Sequence, residues 1–397
     1  MNHIERVSAL QDAIRDQGWA GVVLFYSRDV FYYAGTGRPS YLAVLPHDYA
    51  LFARSGFECG LGHGSFPSER TFSARSLTEV CSIMFPGDGR TQTVGSELDI
   101  MTVHQARSFH KALGHRRLVD ASPLLMRRRM VKDPEEIACV EKACEAAHCG
   151  HKAALTHLRP GVTELELSAA VENAQRLAGH EGIFFFRQPG VFMSRGPMAS
   201  GPNISEVSGV IFAITGVGLS AAVPAGPSLR SIQQGDLVLI DIPPCVQGYH
   251  ADQTRMYCAG EATDRAQSLY QRLRGVADHM IENLRPGITA GDAYLMAVEK
   301  AADLGIGESF LRFPSGQKAH FVGHGIGLEI SEPPLLSRSD KTMLEQGMVL
   351  AIEIHLMERD GTTLKLEDTV CIEKSGCRVL TKSPRDISCA RADESVS

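Results

Sequence analysis

LVLIDIPPCVQGYHADQTRMYC, residues Leu237 to Cys258, is the stretch on which the fold turns. It places Asp241 and Asp252 eleven positions apart, each in a β-like context, with a Gly-containing turn between them. Val238, Leu239, Ile240 and Ile242 form an apolar run that stops at Pro243-Pro244, the mark of a strand that ends there. Gln247-Gly248-Tyr249 supplies the turn, and Ala251 to Tyr257 alternates enough to be the returning strand. A hairpin of that length brings the two carboxylates face to face. Carboxylates held close repel each other, so the pairing is costly unless a proton or a cation lies between them. A single Asp is more often a surface residue at a strand end. Asp241 follows an apolar run and precedes Ile242-Pro243-Pro244, and a carboxylate in that setting calls for a cation.

Further groups for that cation lie downstream. In Phe321-Val322-Gly323-His324-Gly325-Ile326-Gly327-Leu328-Glu329 a histidine is flanked by glycines, whose missing side chains let backbone approach closely. Val349 to Ile354 sets Glu353 inside an apolar strand, and Leu364 to Val370 does the same for Glu367, beside a second acid, Asp368. One buried Glu can be paired structurally with Lys or Arg. Several acids and one His in apolar strands favour metal. Four carboxylates and one imidazole make a hard, oxygen-rich set, which suits two divalent ions better than a structural zinc.

Asp241, Asp252, the GHGIGLE segment with His324, Glu353 and Glu367 together resemble the five-ligand signature of the pita-bread metallopeptidases. The resemblance is strongest to the aminopeptidase P, prolidase and creatinase branch. Five ligands in one order with similar gaps are a far more specific signal than any single motif. The resemblance implies an α/β (α+β) fold: a small creatinase-like α/β domain, then a pita-bread catalytic domain with a pseudo-twofold repeat. It also implies roles. Asp241 would bind one ion and His324 the other, with Asp252 and Glu367 bridging and Glu353 beside the ion of His324. His320, His324, Glu353 and Glu367 would be catalytic, and His320 matches a histidine that lines the site in this branch. Two bridged ions, expected as Mn2+ with Co2+, Zn2+ or Fe2+ as alternatives, lower the pKa of a shared water and supply hydroxide to attack an amide carbonyl.

Composition agrees with an enzyme of this kind. At a prior of about 150 residues per domain, 397 residues make two or three units. With 44% hydrophobic residues there is material for large cores. A net charge of -6 and a pI near 6.2 give no electrostatic reason to expect nucleic acid. No apolar run reaches the roughly 18 residues of a membrane helix, and MNHIERVSAL lacks the apolar core of a signal peptide. The ten cysteines are scattered without a CxxC pair, as expected of buried free thiols. We therefore expect a cytoplasmic homodimer acting on a dipeptide or other small molecule, with no nucleic-acid or membrane partner.

Organisation follows from the punctuation. Ile4, Val7, Leu10 and Ile14 recur at helical spacing, so residues 4–17 form an amphipathic helix. Strands are expected at Gly21–Phe25, Val30–Tyr33, Tyr41–Leu45, Tyr49–Ala53 and around Arg117–Val119, with helix over 100–113. Asp133-Pro134-Glu135-Glu136 reads as a capped helix start with Pro in the first turn and acids at the positive end of the dipole. It divides the chain into a domain of residues 1–129 and a catalytic domain of residues 130–397. A long helix then runs to about Leu158 and stops at Arg159-Pro160-Gly161-Val162-Thr163. A second, Gln267 to Leu284, stops at Arg285-Pro286-Gly287-Ile288-Thr289. The two helix-stop motifs lie 126 residues apart, and each leads into another helix, the sign of an internal repeat.

The residues around the ligands depart from the family pattern. Where the peptidases carry a Pro-His pair before the first Asp, this chain has Pro224-Ala225. Where a second histidine follows the metal-binding one by seven residues, it has Ser331. Those histidines donate to the peptide carbonyl, and losing one such donor costs about 2.7–4 kcal/mol of transition-state stabilisation. Lys365 stands where the branch has Arg, which predicts weaker anchoring of the acids. His355 follows Glu353 by two and so shares its strand face. His320, Ala225, Ser331, Lys365 and His355 are thus the candidate substrate contacts. The leading function is an Xaa-Pro aminopeptidase- or dipeptidase-like hydrolase. The alternative is a metal-dependent hydrolase or lyase of a small non-peptide metabolite, of the creatinase, ectoine hydrolase or dimethylsulfoniopropionate lyase kind. A non-enzymatic binding protein is the third, disfavoured by the complete ligand set.

Overall fold

The computed structural model describes residues 2–54, 66–188, 195–209 and 213–389. Two compact units emerge, Met1–Arg129 and Met130–Ser397. The first opens with helix α1 (His3–Asp16), capped by the Asn2 side chain, and buries Val7, Leu10 and Ile14. There follow β1 (Gly21–Leu24), α2 (Ser27–Ala34), β2 (Ser40–Val44), β3 (Tyr49–Ala53), β4 (Thr71–Ser73), α3 (Leu77–Met84), β5 (Thr93–Ser96), α4 (Val103–Leu113), β6 (Arg117–Asp120) and α5 (Ser122–Met130). The sheet order is β4-β3-β2-β1-β5-β6, in which β1, β2 and β3 form an antiparallel meander flanked by parallel pairs, β3 with β4 on one side and β1 with β5 and β5 with β6 on the other.

Val30–Tyr33, expected as a strand from its β-branched and aromatic residues, lies instead within α2. Val30, Tyr33 and Ala34 are buried at helical spacing, and buried Asp29 pairs with Arg129 at 2.8 Å. Burial overrides local preference here, and Gly35, at φ 70°, ends the helix in the left-handed region that glycine tolerates.

The second unit runs α6 (Pro134–His157), α7 (Glu164–Leu177), β7 (Met198–Ser200), β8 (Leu237–Asp241), β9 (Cys245–Val246), β10 (Tyr249–His250) and β11 (Thr254–Cys258). It continues with α8 (Asp264–Asn283), α9 (Ala290–Asp303), β12 (Phe321–Gly325), β13 (Glu332–Ser337), β14 (Val349–Met357), β15 (Thr363–Glu373), β16 (Gly376–Val379) and β17 (Ser388–Cys389). One sheet has the order β17-β11-β8-β7 and another β13-β12-β14-β15-β16. The strands β9 and β10 form a small hairpin of their own, turning at Gln247-Gly248, so the return from Asp241 is longer than a single uninterrupted strand.

The repeat is visible residue by residue. Thr163 and Thr289 each close a capping box, one at the start of α7 and the other at α9. Gly161 and Gly287 both sit at φ 92°, and their amides bond to Ile232 O and Leu344 O respectively. Each pair of helices covers one sheet. Ala154, Leu167 and Val171 pack with Val238 and Ile240, while Tyr270, Leu273, Val276 and Met280 of α8 pack with Ile352, Ile354, Leu364 and Leu366. Burying each large aliphatic side chain contributes about 1.5–3 kcal/mol. Even-numbered residues of β14 and β15 are thereby committed to the helix side, which leaves the odd-numbered ones on the other face.

Candidate metal centre

That other face carries the chemistry. β14 and β15 are antiparallel, with Glu353 opposite Glu367 and His355 opposite Lys365. β12 runs beside β14 with His324 opposite Ala351, and β8 pairs with β11 with Asp241 opposite Thr254. The glycines around His324 serve close strand approach: a Cβ on Gly323 would lie 2.1 Å from Ala351 O, and one on Gly325 2.3 Å from Pro333 O. Asp252 stands just before β11, its backbone fixed by Thr369, whose hydroxyl accepts from Asp252 N at 2.9 Å and donates to Asp252 O at 2.8 Å.

The five residues named from the sequence converge. Ligand atoms of Asp252, His324 and Glu367 lie within 4.8 Å of one another, and so do those of Asp241, Glu353 and Glu367. Glu367 belongs to both groups, and Glu353, expected beside the ion of His324, groups with Asp241 while its Oε2 lies 3.9 Å from His324 Nε2. Whether the site suits a cation can be read from its unmet valences. Asp252 Oδ1 and Glu367 Oε1 are buried without any hydrogen-bond partner, an expensive condition for carboxylate oxygens. His324 places Nδ1 3.0 Å from Gly325 O. A carbonyl only accepts, so Nδ1 carries the proton and Nε2 presents a lone pair. Burial pushes the carboxyls of Asp252 and Glu367 well above the ordinary range, and neighbouring carboxylates push the same way. Two orphaned oxygens, a lone-pair nitrogen and surplus negative charge fit a divalent ion.

The other half of the cluster is furnished differently. Lys365 Nζ lies 2.5 Å from Asp241 Oδ2, 2.7 Å from Glu353 Oε1 and 3.5 Å from Glu367 Oε2. Lys365 is 1% exposed. Burial works against its charge, but Asp241, Glu353 and Glu367 outweigh burial and hold its pKa well above the usual lysine value. The same ammonium outweighs burial at Glu353 and lowers that carboxyl, while at Asp241 burial prevails and the carboxyl is raised. Lys365 thus meets the acids through single contacts of one ammonium. Its stem is long enough to reach three carboxylates at once, and its charge is turned on them rather than presented to an open pocket.

The remaining candidates take other partners. His355, on the face shared with Glu353, directs Nε2 to Arg312 O at 3.2 Å and its ring lies against Phe313. Burial lowers its pKa to about 4, so it is a neutral, packed imidazole. His320 is exposed, just before β12, with its ring edge-on to Phe321. Ala225 is buried and Ser331 exposed. Residues that sequence reasoning passed over support the cage from behind. Thr254 donates to Glu367 Oε2 at 2.8 Å. Arg255, fully buried, bonds Glu367 O at 2.6 Å and pairs with Asp368 at 2.5 Å. Asp368 also accepts from Thr381 at 2.7 Å and Arg385 at 2.6 Å. The acid beside Glu367 is therefore structural.

Residues 138–374 match the model of Metallopeptidase family M24, and residues 6–131 match the Creatinase/Prolidase N-terminal domain. The chain belongs to metallopeptidase family M24. It is 32% identical over 262 residues to an Xaa-Pro dipeptidase of Pyrococcus horikoshii, an alignment covering 65% of this chain and 64% of that relative's length. It is 29% identical over 300 residues to the Xaa-Pro dipeptidase of Pyrococcus furiosus, covering 75% of this chain and 76% of the relative. The solved prolidase of Pyrococcus furiosus superposes with a TM-score of 0.77 at 26% identity, over 94% of this chain and all of the other. An Xaa-Pro dipeptidase structure from Bacillus anthracis shares the fold with a TM-score of 0.81 at 23% identity, covering 98% of this chain and 100% of that one. The mixed α/β architecture with the creatinase-type domain first, inferred from the ligand order, is the fold these structures share.

Proposed function

We propose that the chain is a metal-dependent hydrolase of Xaa-Pro dipeptides, using two divalent ions, expected as Mn2+, held by Asp241, Asp252, His324, Glu353 and Glu367. The observation that carries this reading is the pair of partnerless buried oxygens, Asp252 Oδ1 and Glu367 Oε1, beside His324 in a chain of this family. Ions held there supply Lewis acidity, making water acidic enough to attack near neutral pH and polarising the scissile carbonyl. The chain's own residues do the rest. His324 is held in one tautomer by Gly325 O, and Thr254 fixes one oxygen of Glu367. Oε2 of Glu353 lies 3.9 Å from His324 Nε2, and this oxygen is the proton acceptor. Glu353 takes the proton of the attacking water at Oε2 and returns it to the proline nitrogen as the C–N bond breaks.

A second reading, hydrolysis or lysis of a small non-peptide metabolite, is favoured by Ala225, whose buried methyl offers no donor where the peptidases place a histidine. The proposal extends to a cytoplasmic homodimer. All nine described cysteines are free, which supports a reducing compartment. Among the described residues no helix is long and apolar enough to cross a membrane. The deciding experiment is a screen of the Mn-loaded protein on Xaa-Pro dipeptides beside small amides and sulfonium compounds. Turnover of the dipeptides supports the first reading, and turnover confined to the other compounds replaces it with the second.

A further inference from the structure

The two halves of the acid cluster differ in how their charge is met. On the Asp252 side, two buried carboxylate oxygens lack any partner. On the Asp241 side, a protein cation already bridges Asp241 and Glu353 at 2.5 and 2.7 Å. We infer that Lys365 is an internal cation that competes for the Asp241–Glu353 half of the cage. The first divalent ion is accordingly taken by Asp252, His324 and Glu367, and a second is admitted only by displacing the ammonium.

Lysine suits this role and arginine would not. Its ammonium is a point charge on a flexible four-carbon stem, able to enter the space between carboxylates and to withdraw from it. A guanidinium is a planar fork, which grips a carboxylate from outside. Withdrawal is not free, because Lys365 is 1% exposed and a displaced ammonium stays buried until it finds other acceptors. The second position is therefore the weaker. The inference rests on the metal-dependent reading above but is tested separately from it.

The test is a calorimetric titration of metal-free protein with Mn2+, paired with metal analysis after dialysis. For the wild type we expect one ion retained per chain after dialysis, with a second bound at least tenfold more weakly. In Lys365→Met, which keeps the stem and removes the charge, the second ion should bind at least tenfold more tightly than in the wild type. Lys365→Arg keeps a cation that cannot enter the cage, and should likewise tighten the second step. Two ions of equal affinity in the wild type overturn the inference and leave the function intact. So does a second step unchanged in Lys365→Met. If that variant fails to fold, the wild-type titration and Lys365→Arg decide. Absence of any bound ion overturns both this inference and the metal-dependent function.

Discussion

Replacing Asp252 by Asn should reverse the sign of its effect on stability between metal-free and metal-loaded protein. The side chain keeps its shape and loses its charge. Asp252 Oδ1 has no hydrogen-bond partner, and its carboxylate shares a 4.8 Å cluster with Glu367. Two like charges at that separation repel by about 3 kcal/mol at an effective dielectric constant of about 20. Protonation already relieves part of this, since burial and then Glu367 hold the Asp252 carboxyl well above its usual range. We expect Asp252→Asn to gain about 1–3 kcal/mol in chelator. With Mn2+ the balance inverts. An ion at about 1,000 times its Kd stabilises the wild type by about 4.1 kcal/mol, and a hundredfold weaker site forfeits about 2.7 kcal/mol of that. Urea denaturation in EDTA and in Mn2+ measures both arms, and thermal melts should follow at about 2–4 °C per kcal/mol. An Asp252→Asn protein less stable than wild type in EDTA would refute the reasoning. So would a metal-induced gain as large as the wild type's.

Three further outcomes are expected. Ala225→His with Ser331→His should raise kcat/KM on an Xaa-Pro dipeptide by about 10²–10³ for each donor that reaches the carbonyl; unchanged kcat/KM would show that these positions do not serve the oxyanion. Arg255→Met should cost about 3–5 kcal/mol in urea denaturation, because it leaves Asp368 short of a buried counter-charge; a loss below about 1 kcal/mol would mean Arg385 suffices alone. Burial lowers His151, which bonds Tyr257 Oη at 2.8 Å, from 6.5 to about 4. The unfolded chain then binds the proton first, so stability is present above pH 6.5 and is lost as pH falls towards 4, by at most about 3 kcal/mol before solvent screening. His151→Gln should flatten that slope, and an unaltered slope assigns the acid lability elsewhere.

What could be read without coordinates was whatever is written in one strand at a time. The apolar residues flanking Asp241, Glu353 and Glu367 announce buried carboxylates, and the glycines around His324 announce close backbone approach. Both are local signals, and those residues converge in space. The helix-stop motifs at Gly161 and Gly287 are equally local, and their matched φ values follow from the glycine each motif requires. Val30–Tyr33 misled because propensity there was outweighed by burial that no local pattern records.

Of the two acids in Glu367-Asp368, period-two alternation could have picked the one that faces the site, since Leu364 and Leu366 commit the even positions to the helix side. Thr254 and Arg255 were out of reach, because their partners are fixed by the register between strands more than a hundred residues apart. Lys365 shows the limit most clearly. Its sequence position reveals only that it replaces an arginine two residues before an acid. The pairing of β14 with β15 sets it on the face of Glu353 and Glu367, and the length of its stem then carries the charge to Asp241. A substitution that looks conservative in one strand thereby places a competing cation inside the cage, and only the register makes that visible.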